Sequence, residues 1–235
     1  MNDGPADPPV HAFTRSPVHE FSVSTTTHAR VLIQAPADPE SPRLLVSFHG
    51  YKSNADHALA DALQIPGVRD GWHVVAPQAL HRFYGRDERI VASWMTRQDR
   101  ELAIADNLAY VEAVLDEAID GLPAGAAPLI VYAGFSQGAA MAYRAAVLGA
   151  YPAAGVLALG ADMPPELRQA EGRQPWPPVL IGVGSGETFY TPAKVAVDVE
   201  FLTSKGVPHE VCRYEGGHEW TDAFRATAGR WLAAL

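Results

Sequence analysis

The chain has 235 residues, 48% of them hydrophobic, and a formal net charge of −9 at pH 7. That length and apolar content suit a folded α/β domain and exclude a disordered chain, and the acidity argues against nucleic acid or an anionic membrane as partner. The single cysteine, Cys212, excludes an internal disulfide. With neither a basic, apolar leader nor a run of about 18 apolar residues, the sequence predicts a cytoplasmic protein with no membrane span.

In chain order, residues 1–17 are rich in Pro, Asp and Ala and read as a loose arm, leaving 18–235 as a single domain. Alternation over Glu20–Thr26 and the apolar run in Arg30–Gln34 predict a strand pair at a sheet edge. Arg43–Phe48 is an apolar strand ending in HGY, Ala55–Leu63 a short helix and Trp72–Val75 the next strand. From Pro77 to Arg100 periodicity is lost, and a long irregular stretch inside a domain is usually functional. In Glu101–Ile119, the residues Ile104, Leu108, Val111, Leu115 and Ile119 form one helical face. Strand Pro128–Ala133 runs into GFSQG and the helix Gln137–Leu148. Strands Gly155–Leu159, Val179–Val183 and Glu210–Tyr214 follow, with helices Pro192–Ser204 (capped by Thr191) and Trp220–Leu235 between and after them. Short continuous apolar strands alternating with helices predict a three-layer α/β sandwich around a mostly parallel sheet.

Gly134-Phe135-Ser136-Gln137-Gly138 fits G-x-S-x-G, the turn that pushes a serine Oγ out of a sheet at the start of a helix. The crowded turn needs small residues two before and two after the serine, and both are glycine. Acyl transfer also needs N–H donors for the developing oxyanion. The amide of Gln137, next after the serine, is one, and Tyr51, after the tight turn at Gly50, is the candidate for the second. His49 reads as a brace for that loop. In Glu215-Gly216-Gly217-His218, after the last strand, His218 stands where a general base belongs; His209 opens the same strand at its far end. Nine histidines without HExxH spacing give no metal motif.

An acid must orient the histidine. Asp198 and Glu200 lie along a helix, Glu210 in a strand, and Glu215 too near His218. Two candidates are left: Glu187, in GVGSGETFYTP after the penultimate strand, and Asp162, after the strand before it. The order Ser136, Glu187, His218 matches the order Ser, acid, His, and Gly184 and Gly186 leave the loop room to accommodate the longer glutamate.

The segments SFHGYKSNAD, SWMT, AGFSQGAAMAYRAA, GSGETFYTP and GGHEW together resemble the phospholipase/carboxylesterase family of α/β-hydrolases, the group that includes acyl-protein thioesterases, over roughly residues 28 to 235. The resemblance implies an α/β-hydrolase fold with little or no cap, no cofactor, and hydrolysis of carboxylic esters or thioesters. It implies Ser136 as nucleophile, His218 as base, the Tyr51 and Gln137 amides as oxyanion donors, and the SWMT loop with Trp94 and Met95 beside the acyl pocket. The sequence departs from the family in lacking the HG-x-G form at HGYKSN and in having Glu187 where the family has aspartate. The expected activity is a serine carboxylesterase acting on short- to medium-chain esters of small molecules. An acyl thioesterase or amidase would use the same residues, and a scaffold that had lost catalysis would have Glu187 and Asp162 both turned from His218.

Overall fold

The computed structural model describes residue 18, residues 20–123, residue 125 and residues 127–235; the expected arm, 1–17, lies outside them. The elements in chain order are β1 (Val31–Gln34), β2 (Arg43–Phe48), α1 (Ala55–Ala62), α2 (Val68–Gly71), β3 (His73–Pro77), β4 (His81–Tyr84), β5 (Ile90–Ser93), α3 (Arg100–Asp120), β6 (Leu129–Phe135), α4 (Gln137–Leu148), β7 (Gly155–Leu159), β8 (Val179–Gly184), α5 (Pro192–Ser204), β9 (His209–Tyr214) and α6 (Asp222–Ala233). A 3-10 turn, Pro165–Arg168, interrupts the connection from β7 to β8.

One seven-stranded sheet has the order β1-β3-β2-β6-β7-β8-β9. Only β1 is antiparallel, on β3; every other pairing is parallel. Because side chains alternate across a strand, each buried strand feeds two cores. Leu44, Val46, Ile130, Tyr132, Val156, Ala158 and Ile181 face the side covered by α3, α4 and α5, against Val111, Leu115, Met141, Val195 and Leu202. Leu45, Val74, Val131, Ala133, Leu157, Leu159 and Leu180 face the other side, against Ala62, Phe224, Ala228 and Leu232 of α1 and α6. The three-layer α/β sandwich expected from the alternation of elements is therefore present, with helices on both faces.

Three expectations need correction. Glu20–Thr26 forms no strand: Phe21 and Val23 are 80% and 72% exposed, and β1 alone reaches the sheet. Burying two apolar side chains does not offset the entropy of ordering that segment. The stretch Pro77–Arg100 is not irregular, because β4 and β5 form an antiparallel hairpin, tied through a Ser53–Ala92 bridge to the loop after β2. Thr191 is the first cap residue of α5, but its hydroxyl accepts no capping hydrogen bond.

In a parallel sheet the carboxyl ends of the strands share one edge, and ligand sites gather there. The loops after β2, β6, β7, β8 and β9 therefore bring Tyr51, Ser136, Gly160, Glu187 and His218 to the same edge.

Candidate active site

Ser136 has φ 54° and ψ −123°, a left-handed conformation in a non-glycine residue at the junction of β6 and α4. The flanking glycines are required by contact. A Cβ on Gly134 would sit 2.2 Å from the Gly138 carbonyl oxygen, and one on Gly138 would sit 2.2 Å from that of Phe48. The Ser136 N–H donates to the Leu159 carbonyl at 2.8 Å, pinning the turn to the end of β7.

His218 and Glu187 meet: Nδ1 lies 2.6 Å from Oε2, with the Glu187 side chain 1% exposed and that of His218 25% exposed. Burial alone would raise the Glu187 carboxyl, but the hydrogen bonds from His218 and from the Phe189 and Tyr190 amides outweigh it and hold the group below the usual carboxylate range. An ionised carboxylate only accepts, so Nδ1 carries the proton and Nε2 is the basic nitrogen. The imidazole is flanked by Phe135 and Phe189, with ring centroids at 4.7 and 5.0 Å. Ser136 and His218 line one cleft of about 460 Å³; among the described residues the serine hydroxyl makes no hydrogen bond, which is common before substrate tightens such a site. Asp162 instead pairs with Lys194 at 3.1 Å. His209, at the opposite end of β9, hydrogen-bonds the Val207 carbonyl.

The loops carrying the acid and the base are laced together. Ser185 N–H donates to Tyr214, Gly186 N–H to Gly216, and Ser185 Oγ to Glu215. Gly184 and Gly186 have no positive φ; the need at Gly184 is space, since a Cβ there would lie 2.4 Å from the Gly217 carbonyl oxygen. A second anchor is Asp198 of α5, fully buried, which accepts from Tyr190 Oη (2.9 Å), the Met163 amide (3.0 Å) and Arg168 (2.6 Å). Tyr190 lies three residues after Glu187, so this buried carboxylate steadies the acid-bearing loop from behind.

The Tyr51 and Gln137 amides donate to no group among the described residues, and the turn before Tyr51 packs against the nucleophile, since a Cβ on Gly50 would fall 3.4 Å from Ser136 Cβ. His49 braces this loop: the Ala79 amide donates to Nε2 at 3.1 Å and Nδ1 donates to the Gly50 carbonyl at 2.7 Å. Burial pushes the His49 imidazole down to about 4, so it stays neutral near pH 7.

Beside Gln137 opens a second cleft of about 600 Å³, lined by Tyr51, Phe83, Ser93, Met95 and Gln137 together with His81, Thr96, Arg97 and Arg100. Met95 lines this cleft. Trp94 does not: it is fully buried, donates through Nε1 to the His49 carbonyl at 2.9 Å, packs on Phe48, and lines neither cleft.

One side-chain role and one residue missed in the sequence complete the site. The Gln137 side chain accepts from the Trp94 amide (2.8 Å) and donates to the Met95 carbonyl (3.2 Å), fastening the 93–95 loop to the start of α4. Gly160, at φ +69°, lies under the histidine; a Cβ there would be 3.1 Å from the ring of His218 and 3.4 Å from Glu187 Oε2. A glycine directly after a strand was the available signal. Among the described residues, no group of three or more His, Cys, Asp or Glu side chains converges as metal donors would, and no helix is long and apolar enough to cross a membrane.

The sequence pattern of the phospholipase/carboxylesterase family matches residues 28–220. No curated protein matches the sequence significantly. Among solved structures, esterase PE8 superposes with a TM-score of 0.70 at 23% identity, covering 89% of this chain and 100% of its own. The Bacillus cereus carboxylesterase gives 0.67 at 18%, covering 88% and 94%, and Zea mays acyl-protein thioesterase 2 gives 0.65 at 17%, covering 88% and 99%. At these identities the structures support the fold.

Proposed function

Because the chain belongs to the phospholipase/carboxylesterase family of α/β-hydrolases, a serine hydrolase group of the esterase and thioesterase type, we propose that it is a carboxylesterase that cleaves short- to medium-chain esters through Ser136, His218 and Glu187. The observation that carries this reading is the 2.6 Å contact of His218 Nδ1 with the buried Glu187 carboxylate, in the cleft that also holds the strained Ser136. An inactive scaffold would gain weight from Glu187 and Asp162 both turned from His218; Glu187 instead faces it, which favours the catalytic reading.

In the proposed reaction, His218 Nε2 removes the proton from Ser136 Oγ as that oxygen attacks the ester carbonyl. The Tyr51 and Gln137 amides receive the developing oxyanion. Glu187 holds the Nδ1 proton in place and stabilises the imidazolium. His218 then returns the proton to the departing oxygen, and water, deprotonated by the same nitrogen, clears the acyl group from Ser136. The acyl chain enters the larger cleft, along Met95 and Phe83. With only the β4–β5 hairpin beside it, that open cleft suits short and medium chains.

The test is a fluorophosphonate probe read by intact mass, with turnover of p-nitrophenyl butyrate alongside. The wild type should gain one adduct, mapped to Ser136, and Ser136→Ala should gain none and lose hydrolysis. A Ser136→Ala variant with wild-type activity would refute the reading. A chain-length series of p-nitrophenyl and thioesters then separates ester from thioester preference.

A further inference from the structure

The proposed esterase mechanism, on which the present inference rests, sorts the two clefts by the parts of the substrate they receive. In the collapse of the tetrahedral intermediate, the bond from the acyl carbon to the leaving oxygen breaks as that oxygen takes the proton from His218 Nε2. The leaving group must therefore lie on the His218 side, in the cleft lined by Ser136 and His218, and the acyl chain on the far side of the oxyanion donors, against Met95.

The two clefts differ in chemistry. The acyl side presents the apolar surface of Tyr51, Phe83 and Met95, with the polar His81, Thr96, Arg97 and Arg100 also in its lining. The leaving-group side shares Tyr51 and adds Ala60 and Phe135, but its wall before, along and just beyond α1 carries four polar side chains, Ser53, His57, Asp61 and Gln64. His57 and Asp61, four apart on α1, project from one face of the helix. Their hydrogen-bonding capacity is only partly used. Ser53 Oγ meets Nδ1 of His57 at 3.1 Å, leaving Nε2. Arg225 takes Oδ1 of Asp61 at 3.1 Å, leaving Oδ2. Gln64 uses Nε2 on the Ala60 carbonyl, leaving Oε1. A leaving alcohol with no further polar groups would strip water from these atoms without replacing its hydrogen bonds. One with several hydroxyls would replace them, and an anionic one would meet the Asp61 carboxylate. We propose that the natural leaving group is a neutral polyhydroxyl alcohol, glycerol or a sugar, held by His57, Asp61 and Gln64.

The experiment compares kcat/KM for monobutyrylglycerol and pentyl butyrate, which share an acyl group, with p-nitrophenyl butyrate as a common reference. The glycerol ester should lead the pentyl ester by at least about tenfold, as one or two net hydrogen bonds supply. His57→Leu and Gln64→Leu, both exposed positions, should each lower that ratio several-fold. A pentyl ester hydrolysed as fast as the glycerol ester, while p-nitrophenyl butyrate is turned over, would overturn the inference and leave the esterase reading standing. Unchanged ratios in both variants would overturn the assignment to α1. No turnover of p-nitrophenyl butyrate would instead overturn the esterase reading, and this one with it.

Discussion

At Ser136 the backbone is held in a region that costs of order 1–3 kcal/mol for a residue with a Cβ, and the contacts that hold it there are tight enough to name: Gly138 against the end of β2, Gly134 against Gly138, and the Ser136 amide on Leu159. Gly160 is the corresponding support for the base. Gly160→Ala would place a methyl at φ +69° and 3.1 Å from the imidazole. It should cost about 1–2 kcal/mol of stability and lower kcat at least about tenfold, since small displacements of a reacting group are expensive; denaturant unfolding and p-nitrophenyl butyrate kinetics check the two effects separately. Glu187→Asp retracts the carboxylate by one methylene from a 2.6 Å contact and should cost about 10²-fold in kcat. Ser136 and His218 were legible in the sequence because their flanking glycines are local requirements of a sharp turn. Glu187 was legible only to the level of two candidates, because the choice depends on how two loops fold, Glu187 toward His218 and Asp162 toward Lys194 of α5. Trp94 was misread because its burial is decided by His49, 45 positions away in the chain.

Among the elements, α5 was set aside as a source of the acid, yet its Asp198 ties the loop after β7 to Tyr190 of the acid loop. Burial raises the Asp198 carboxyl while the Met163 amide, Arg168 and Tyr190 oppose it. Removing one member of such a network leaves the others unpaired in the interior. Asp198→Ala should therefore destabilise the fold by about 3–5 kcal/mol, measurable by urea unfolding, and Asp198→Asn, which keeps the shape, should cost less. The parallel strands were readable because continuous apolar runs have one home, the middle of a sheet covered on both faces. The β4–β5 hairpin was not, because HRFY and IVAS carry little alternation and its pairing is fixed by contact with Ser53. The failed strand at Glu20–Thr26 is the converse case, alternation without anything to bury against.

For the molecule as a whole, the buried neutral His49 links stability to pH. Its folded-state value, about 4, lies below the ordinary 6.5, so between these values the unfolded chain binds more protons and stability falls as the pH falls. The contribution is complete above pH 6.5 and declines toward pH 4, by about 3 kcal/mol from this group. Urea midpoints at pH 7 and pH 4.5 should show the loss in the wild type, and His49→Gln should show a smaller one. Glu187 adds a step lower down: its depressed value stabilises the fold above the ordinary 4.5, and that part is lost as the pH falls through the depressed value. The sheet order brings residues far apart in sequence to one edge, and the account stands or falls on whether the acid that reaches His218 there is Glu187. The direct measurement is kcat for p-nitrophenyl butyrate in Glu187→Gln and Asp162→Asn, each with folding verified. The account predicts a fall of up to about 10⁴-fold for Glu187→Gln and wild-type turnover for Asp162→Asn; a crippled Asp162→Asn beside an active Glu187→Gln would contradict it.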